Sequence, residues 1–172
     1  RFPRALLQLD ACAISALENE TVPWDRFAEG PVLITPQATE LASLAGASRE
    51  EVVANGVRAA LKAARQWRVT VLLKGATAHV ATPDGQLWSH PNGGAVRATS
   101  GAGDVLSGIV AGLLARGCKP EQAAVWGLAL HAEAGEVLAR RIGPVGYLAR
   151  ELTEQIPELL RRFAAAELRP TA

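Results

Sequence analysis

The sequence lacks methionine, has only two cysteines, and is poor in aromatic residues, which make up 5% of the chain. Cys12 and Cys118 lie far apart and form no C-x-x-C pair, so neither a disulfide framework nor a zinc knuckle is indicated, and a reducing cytoplasm fits best. Eighteen Lys and Arg residues against 17 Asp and Glu leave a net charge of +1. This balance gives no global electrostatic reason to expect nucleic acid or an anionic membrane as a partner.

Long hydrophobic runs are also missing. The most apolar stretch, residues 105–115, is too short to cross a bilayer and predicts a buried core helix. No secretory signal precedes the first apolar segment, residues 5–9. Because the chain contains no methionine, Arg1 cannot be a translation start, and we expect that a segment upstream has been removed.

The elements that are present predict one α/β domain spanning residues 1–172. Residues 5–9, 31–35 and 69–73 are short apolar runs without alternation, which is typical of parallel strands covered on both faces. Pro83-Asp84-Gly85 predicts the turn of a hairpin formed by residues 78–82 and 86–89. Further helices are predicted over residues 104–116, 120–142 and 147–166, the last with a break at Pro157, and a loop over residues 90–103.

A helix is also predicted between the second and third strands. Ser48 and Glu51 have the spacing of a capping box, and the helix should continue to Trp67. Its apolar residues recur at helical spacing and predict one buried face, formed by Val53, Val57, Ala60, Leu61 and Ala64.

The strongest candidate for chemistry is a turn of small residues that leads directly into the apolar helix. Glycine here brings free backbone amides close to a ligand, and the helix dipole adds positive potential, so the turn predicts a phosphate site. A carboxylate beside a phosphate needs a chemical reason, such as accepting a proton from an attacking hydroxyl; the competing interpretation is a helix cap. The turn is formed by Thr99, Ser100, Gly101, Ala102, Gly103 and Asp104.

Two other segments follow the predicted strands. Lys74 and the residues after it would meet a nucleotide at the carboxyl edge of the sheet, or simply form an exposed turn. Gln37 and Glu40 lie three apart, so Gln37 could bond a substrate and Glu40 could hold water on Mg²⁺, or Glu40 could serve only the helix start. Asp10 is left open between a turn residue and a supporting carboxylate, and His131 is expected to be a core histidine.

Three motifs follow one another in a fixed order: T-P-Q-A-T-E-L, then L-L-K-G-A-T-A, then S-G-A-G-D-V-L-S-G-I-V-A-G-L-L-A-R-G. This order resembles the ribokinase-like superfamily, and the details are most similar to its NAD(P)H-hydrate dehydratase family. The resemblance covers nearly the whole chain and includes D-A-C-A-I from Asp10, which is similar to the family's D-A-D-A-L. It implies a three-layer αβα fold with a mostly parallel central sheet, lacking its N-terminal part.

The resemblance also implies a reaction and the residues that perform it. ADP, or less favourably ATP, would phosphorylate the ring hydroxyl of the (S)-hydrate with Mg²⁺ present, and loss of phosphate would restore NADH or NADPH. Asp104 would be the catalytic base and, with Gln37, would contact the hydrate, while Glu40 would lie near the metal. The anion hole would be formed by Gly101, Ala102 and Gly103, and the nucleotide would bind to Lys74, Gly75, Ala76, Thr77, Ala78 and Gly103. A homo-oligomer is also implied.

This chain departs from the family pattern at several places, two of which concern site residues. The usual His-Pro-Gly-Glu is Gln37-Ala38-Thr39-Glu40 here, so glutamine replaces a substrate-contacting histidine. The usual K-G-A-x-T ends in Ala78, which removes or moves a hydroxyl beside the nucleotide. Two alternatives stay open: a sugar or vitamin kinase that uses Asp104 as its base, and a nucleotide-binding fragment without turnover.

Overall fold

The computed structural model describes residues 5–17, 31–91 and 99–167. Within these residues the strands are β1 (Leu7–Leu9), β2 (Val32–Ile34), β3 (Thr70–Leu73), β4 (Thr77–Ala81) and β5 (Leu87–Pro91). The helices are α1 (Cys12–Ser15), α2 (Ala38–Ala45), α3 (Arg49–Ala54), α4 (Gly56–Trp67), α5 (Ala102–Ala115), α6 (Pro120–Ile142) and α7 (Ala149–Glu167).

The five strands form one mixed sheet in the order β1-β2-β3-β4-β5. β1, β2 and β3 are parallel, with Leu7 opposite Val32 and Leu33 opposite Thr70. β4 pairs antiparallel with both β3 and β5, and Gly85 in the connecting turn has a φ of 94°. The predicted hairpin and the three parallel strands are therefore confirmed. Parallel strands place their carboxyl ends at a common edge of the sheet.

Helices cover both faces of the sheet, which makes three layers. Alternate residues of β2 and β3 point to opposite faces, as the pleat requires. On one face, Val71 and Ile34 pack with α2, α3 and α4; on the other, Leu33 and Leu72 pack with α5 and α6, and α7 packs outside them. Residues 105–115 lie within the predicted core helix, α5, in which Leu106, Val110 and Leu114 are buried.

The predicted helix from Ser48 to Trp67 is divided in two. The Ser48 hydroxyl accepts the Glu51 N–H at 3.1 Å, as the capping pattern predicts. Asn55, however, has a φ of −128° and a ψ of 42° and separates α3 from α4. The predicted buried face was therefore partly wrong, because the break changes the register: Val53 and Val57 are 60% and 41% exposed. The buried positions of the two helices are Val52, Ala60, Ala63, Ala64 and Trp67.

Other boundaries differ by a few residues. β5 reaches Pro91, so His90 belongs to a strand rather than to the predicted loop, and residues 92–98 of that loop lie outside the described residues. α7 runs through Pro157 without the predicted break. α6 has the predicted bounds, with Pro120 at its first turn. No helix in the part of the chain described is long and apolar enough to span a membrane.

Candidate active site

The two predicted segments that follow β2 and β3 lie side by side. The Lys74 N–H donates to the Pro36 carbonyl oxygen at 2.8 Å, and Gln37 and Lys74 form a parallel bridge beyond the ends of the two strands. This pairing continues the parallel ladder to the carboxyl edge, where open α/β sheets bind ligands. Gln37 and Lys74 therefore lie next to each other at this edge, although 37 positions separate them in the sequence.

Asp10 joins the same edge from β1. Its Oδ1 atom lies 2.6 Å from the Lys74 ammonium, and each of these two side chains is 13% exposed. Ala11, the next residue, has a φ of 47°, a conformation that is uncommon for a residue with a Cβ and that is found preferentially at functional sites. The Asp10 carboxylate is thus a supporting group that holds the ammonium, which decides the alternative left open by the sequence.

The small-residue turn and the start of α5 complete the edge. Gly101 precedes the helix with a φ of 83° and supplies no side-chain cap. A Cβ placed on Gly103 would lie 3.9 Å from the Lys74 ammonium, so the ammonium approaches the first turn of α5. Amides in this turn have no intrahelical partner and favour anions. The strand-end lysine and the helix N-terminus therefore face the same space.

The three residues predicted as an anion hole differ in what their amides do. The Ala102 N–H donates to the Thr99 carbonyl oxygen at 3.1 Å and is occupied by that bond. Among the described residues, neither the Gly101 N–H nor the Gly103 N–H meets an acceptor. These two glycine amides are therefore better placed than the Ala102 amide to receive an oxygen of a ligand.

Asp104 is the third residue of α5 and lies in the first turn of the helix. Gly101, not Asp104, occupies the N-cap position, so the capping interpretation does not describe this carboxylate. The residue is exposed, and its carboxylate makes no ion pair or hydrogen bond to any residue that the structure describes. It is free to contact a ligand at the helix N-terminus.

Two contacts that the sequence did not reveal fix α5 against the rest of the domain. The Gln8 amide on β1 donates to the Ser107 carbonyl oxygen at 3.0 Å and to its hydroxyl at 2.8 Å. His131 on α6 lies 2.9 Å from the Ala102 carbonyl oxygen through Nε2. The only sequence signal for Gln8 is a polar residue within an apolar strand.

His131 is a buried histidine, as predicted, with 3% of its surface exposed. Burial lowers the pKa of its imidazole, and the contact with the Ala102 carbonyl oxygen raises the pKa in part. A neutral ring that carries its proton on Nε2 satisfies this geometry, because the carbonyl can only accept. His131 thus holds the first residue of α5 rather than a ligand.

Glu40 supports the loop that carries Gln37. The Gln37 N–H donates to Glu40 Oε2 at 2.7 Å, which gives this carboxylate a structural contact at the start of α2. Its predicted role near a metal stays a prediction. In the described ranges, no group of three His, Cys, Asp or Glu side chains could hold a metal ion by itself.

The segment from Lys74 to Ala78 differs from the family pattern in the position of its threonine hydroxyl. A Cβ on Gly75 would lie 3.1 Å from the Thr77 carbonyl oxygen, so this tight turn favours glycine. Ala78 is fully buried against α5 and α6, whereas Thr77, its neighbour on β4, is exposed and points to the opposite face. The threonine hydroxyl is therefore moved across the sheet rather than shifted along one face.

The fold and this site define a chain of the ribokinase-like class. A ribokinase-like superfamily protein from Enterococcus faecalis matches with a TM-score of 0.71 and 26% identity, over 92% of this chain and 53% of that one. The ADP/ATP-dependent NAD(P)H-hydrate dehydratase from Bacillus subtilis, co-crystallised with ATP and Mg²⁺, matches with a TM-score of 0.81 and 31% identity, over 92% of this chain and 55% of that one.

The family model for NAD(P)H-hydrate dehydratase matches residues 3–158. The chain belongs to that family. An ADP-dependent (S)-NAD(P)H-hydrate dehydratase from Xanthomonas campestris is 48% identical over 133 residues, which are 77% of this chain and 46% of the relative. A bifunctional NAD(P)H-hydrate repair enzyme from Moorella thermoacetica is 40% identical over 157 residues, 90% of this chain and 29% of the relative. The chain thus spans half or less of the length of these relatives.

Proposed function

We propose that this chain catalyses the nucleotide-dependent dehydration of (S)-NAD(P)H-hydrate to NAD(P)H. One observation carries the proposal: the Lys74 ammonium, which Asp10 binds at 2.6 Å, lies close to the first turn of α5. This arrangement suits a phosphoryl group, which needs positive charge and free amides around its oxygens. The names of the relatives from Xanthomonas campestris and Bacillus subtilis support the choice of substrate.

In the proposed reaction, Asp104 accepts the proton of the ring hydroxyl as its oxygen attacks the terminal phosphorus of the nucleotide. The bond between that phosphorus and the bridging oxygen breaks, and the shortened nucleotide leaves. Phosphate is a better leaving group than hydroxide, so the ring nitrogen expels it, and loss of a proton from the adjacent carbon restores the double bond. Exposure and the lack of a described partner fit Asp104 for this role.

The nucleotide is assigned to the turn after β3 and to the start of α5. Lys74 balances phosphate charge, and the Gly103 amide receives a phosphoryl oxygen. Gly75 carries no side chain that would separate this turn from the nucleotide. Position 78, where the family has threonine, is a buried alanine here, and Thr77 points to the opposite face of the sheet. The Thr77 hydroxyl can therefore bond only a part of the nucleotide that lies on that opposite face. ADP is proposed as the donor, with ATP as the second choice.

The residues at the edge fit a magnesium ion that is bound mainly through phosphate oxygens and water. Mg²⁺ commonly takes only one or two protein carboxylates in such sites, so the absence of a three-ligand cluster in the described part is compatible with it. Glu40 keeps Oε1 available, because the bond from Gln37 uses Oε2. When bound, the ion would neutralise phosphate charge.

Gln37 is proposed to contact the hydrate. It lies beside Lys74 at the carboxyl edge of the sheet, where an amide can exchange hydrogen bonds with the carboxamide of the nicotinamide ring. A cytoplasmic location and a homo-oligomer complete the proposal.

The proposal is tested with a mixed-epimer NADH-hydrate solution, Mg²⁺ and the protein, by following the recovery of NADH fluorescence with ADP, with ATP, or with no nucleotide. We expect recovery that requires a nucleotide and stops near the S-epimer fraction. A folded sample that binds ADP but restores no NADH would contradict the proposal and leave a kinase for another acceptor or an inactive nucleotide-binding chain.

A further inference from the structure

A large groove lies on the α4 side of the sheet, away from α5. Its cavity volume is about 1150 Å³, and it extends between α4 and the β4 strand. One end is formed by Ala38 and by the turn after β3, Lys74 to Thr77, which are neighbours of the proposed reaction site. The groove is therefore continuous with the sheet edge, although none of the roles assigned above uses its length.

The groove has charge of one sign. Arg58, Lys62 and Arg65 line it from α4, and His79 lines it from β4. No Asp or Glu lines it among the residues that the structure describes. In a chain with nearly equal numbers of acidic and basic residues, this is a local excess of positive charge that would attract an anion.

The three α4 cations are close to one another along the helix. They are spaced four and three residues apart, so they share one side of the helix, where like charges repel. None of them forms an ion pair within residues 5–17, 31–91 and 99–167. Helix stability alone therefore does not favour the arrangement, whereas an anionic ligand would.

Apolar surface accompanies the charge. Val53 and Val57 line the same groove and remain 60% and 41% exposed because the helix breaks at Asn55. His79 holds the Ser89 hydroxyl at 2.8 Å through Nδ1 and lies 3.0 Å from where a Cβ on Gly56 would be, which seats α4 closely on the strand. Mixed apolar and cationic lining is typical of sites for nucleotides, which present a flat base or ring together with phosphates.

From these observations we infer that the groove binds the non-reacting phosphate groups of a nucleotide whose reacting end lies at the Lys74 edge. The inference rests on the proposed function, which supplies two ligands of this chemistry: the adenine nucleotide and the dinucleotide hydrate. The volume exceeds the usual range for small-molecule pockets, about 300–1000 Å³, and gives room for the larger of the two.

The test removes the three groove charges together. The groove variant carries Arg58→Gln, Lys62→Gln and Arg65→Gln, and the control variant carries Arg116→Gln, Arg141→Gln and Arg150→Gln, which remove three exposed charges outside the groove. KM and kcat are measured for NADPH-hydrate, NADH-hydrate and ADP.

We expect the groove variant to raise one KM about tenfold, since each exposed ion pair contributes modestly, while kcat stays within about twofold and the control variant matches the wild type. A selective rise in KM for the hydrates assigns the groove to the dinucleotide, and a selective rise for ADP assigns it to the donor. Equal KM values in the two variants would overturn the inference.

Direct binding separates this inference from the proposed function. Calorimetric titration of the wild type and both variants with NADPH-hydrate and with ADP needs no turnover. A wild type that binds but does not react would contradict the proposed function, and loss of that binding in the groove variant alone would still support the groove. Binding that is the same in all three proteins, or absent from all, would overturn it.

Discussion

The two faces of the sheet differ in how completely they are covered. On the α5 face, Leu72 and Val110 are fully buried, and the Gln8 and His131 contacts tie α5 to a strand and to α6. On the α4 face, the helix breaks at Asn55, valines are exposed, and a groove of about 1150 Å³ remains. The closed face fixes the helix N-terminus proposed to hold the phosphoryl group, and the open face leaves room for a ligand.

The largest expected difference is between two valines that lie on helices of opposite faces. Val110→Ala removes two methyl groups from a fully buried site and should lower the free energy of unfolding by about 2.5 kcal/mol. Val57→Ala, at a site 41% exposed, should change it by less than about 0.5 kcal/mol. Urea unfolding of both variants measures the difference, and equal losses would show that the faces are equally packed.

The next effect concerns the close approach of α5 and α6. A Cβ on Gly127 would lie 2.5 Å from Val110 Cγ2, so Gly127→Ala should destabilise the protein by about 2 kcal/mol. Gly108→Ala is the matched control, because nothing lies within 4 Å of its Cβ position and alanine favours the helix. The double variant Gly127→Ala, Val110→Ala should lose less than the sum of the two single losses. Strict additivity would contradict the contact.

A smaller effect is expected from the ion pair at the sheet edge. Asp10→Asn leaves the mostly buried Lys74 ammonium without its anion and should lower the free energy of unfolding by about 1.5 kcal/mol. It should also raise the KM for ADP with little change in kcat. Arg161→Gln breaks the exposed pair with Glu158 and should leave stability unchanged within error. If Asp10→Asn behaved like Arg161→Gln, Asp10 would not position Lys74.

The smallest effect is a pH dependence. Because burial lowers the pKa of His131, the unfolded chain binds a proton more readily than the folded one. Neutral His131 therefore contributes fully to the free energy of unfolding above the pKa of the unfolded chain, about 6.5, and this contribution is lost as the pH falls below that value. Between pH 7.5 and 5.5, the free energy of unfolding should fall less steeply with decreasing pH for His131→Gln than for the wild type. An unchanged slope would show that His131 is not the titrating group.

Local patterns predicted much of this fold. The Pro-Asp-Gly turn, the Ser48 cap and Pro120 at the start of α6 all act within a few residues, and the structure has each of them. The break at Asn55 was missed because the apolar spacing continues across it, and only packing decides that Val53 and Val57 stay exposed.

The site was predictable in its parts but not in its connections. Strand ends and a glycine turn can be read from the chain, and the parallel order then brings them to one edge. The Asp10–Lys74 pair joins residues 64 positions apart, and the Gln8–Ser107 contact joins residues 99 positions apart. No local rule specifies such pairs, since the first depends on the order of the strands in the sheet and the second on how α5 packs against it.

The most direct test of the account is Asp104→Asn, assayed for nucleotide-dependent recovery of NADH and for ADP affinity. Loss of a general base should lower turnover by about 100-fold or more, while ADP affinity stays within about twofold, because Lys74 and the Gly103 amide remain. Equal losses of turnover and of ADP binding would contradict it, since the carboxylate would then act only to maintain the helix start.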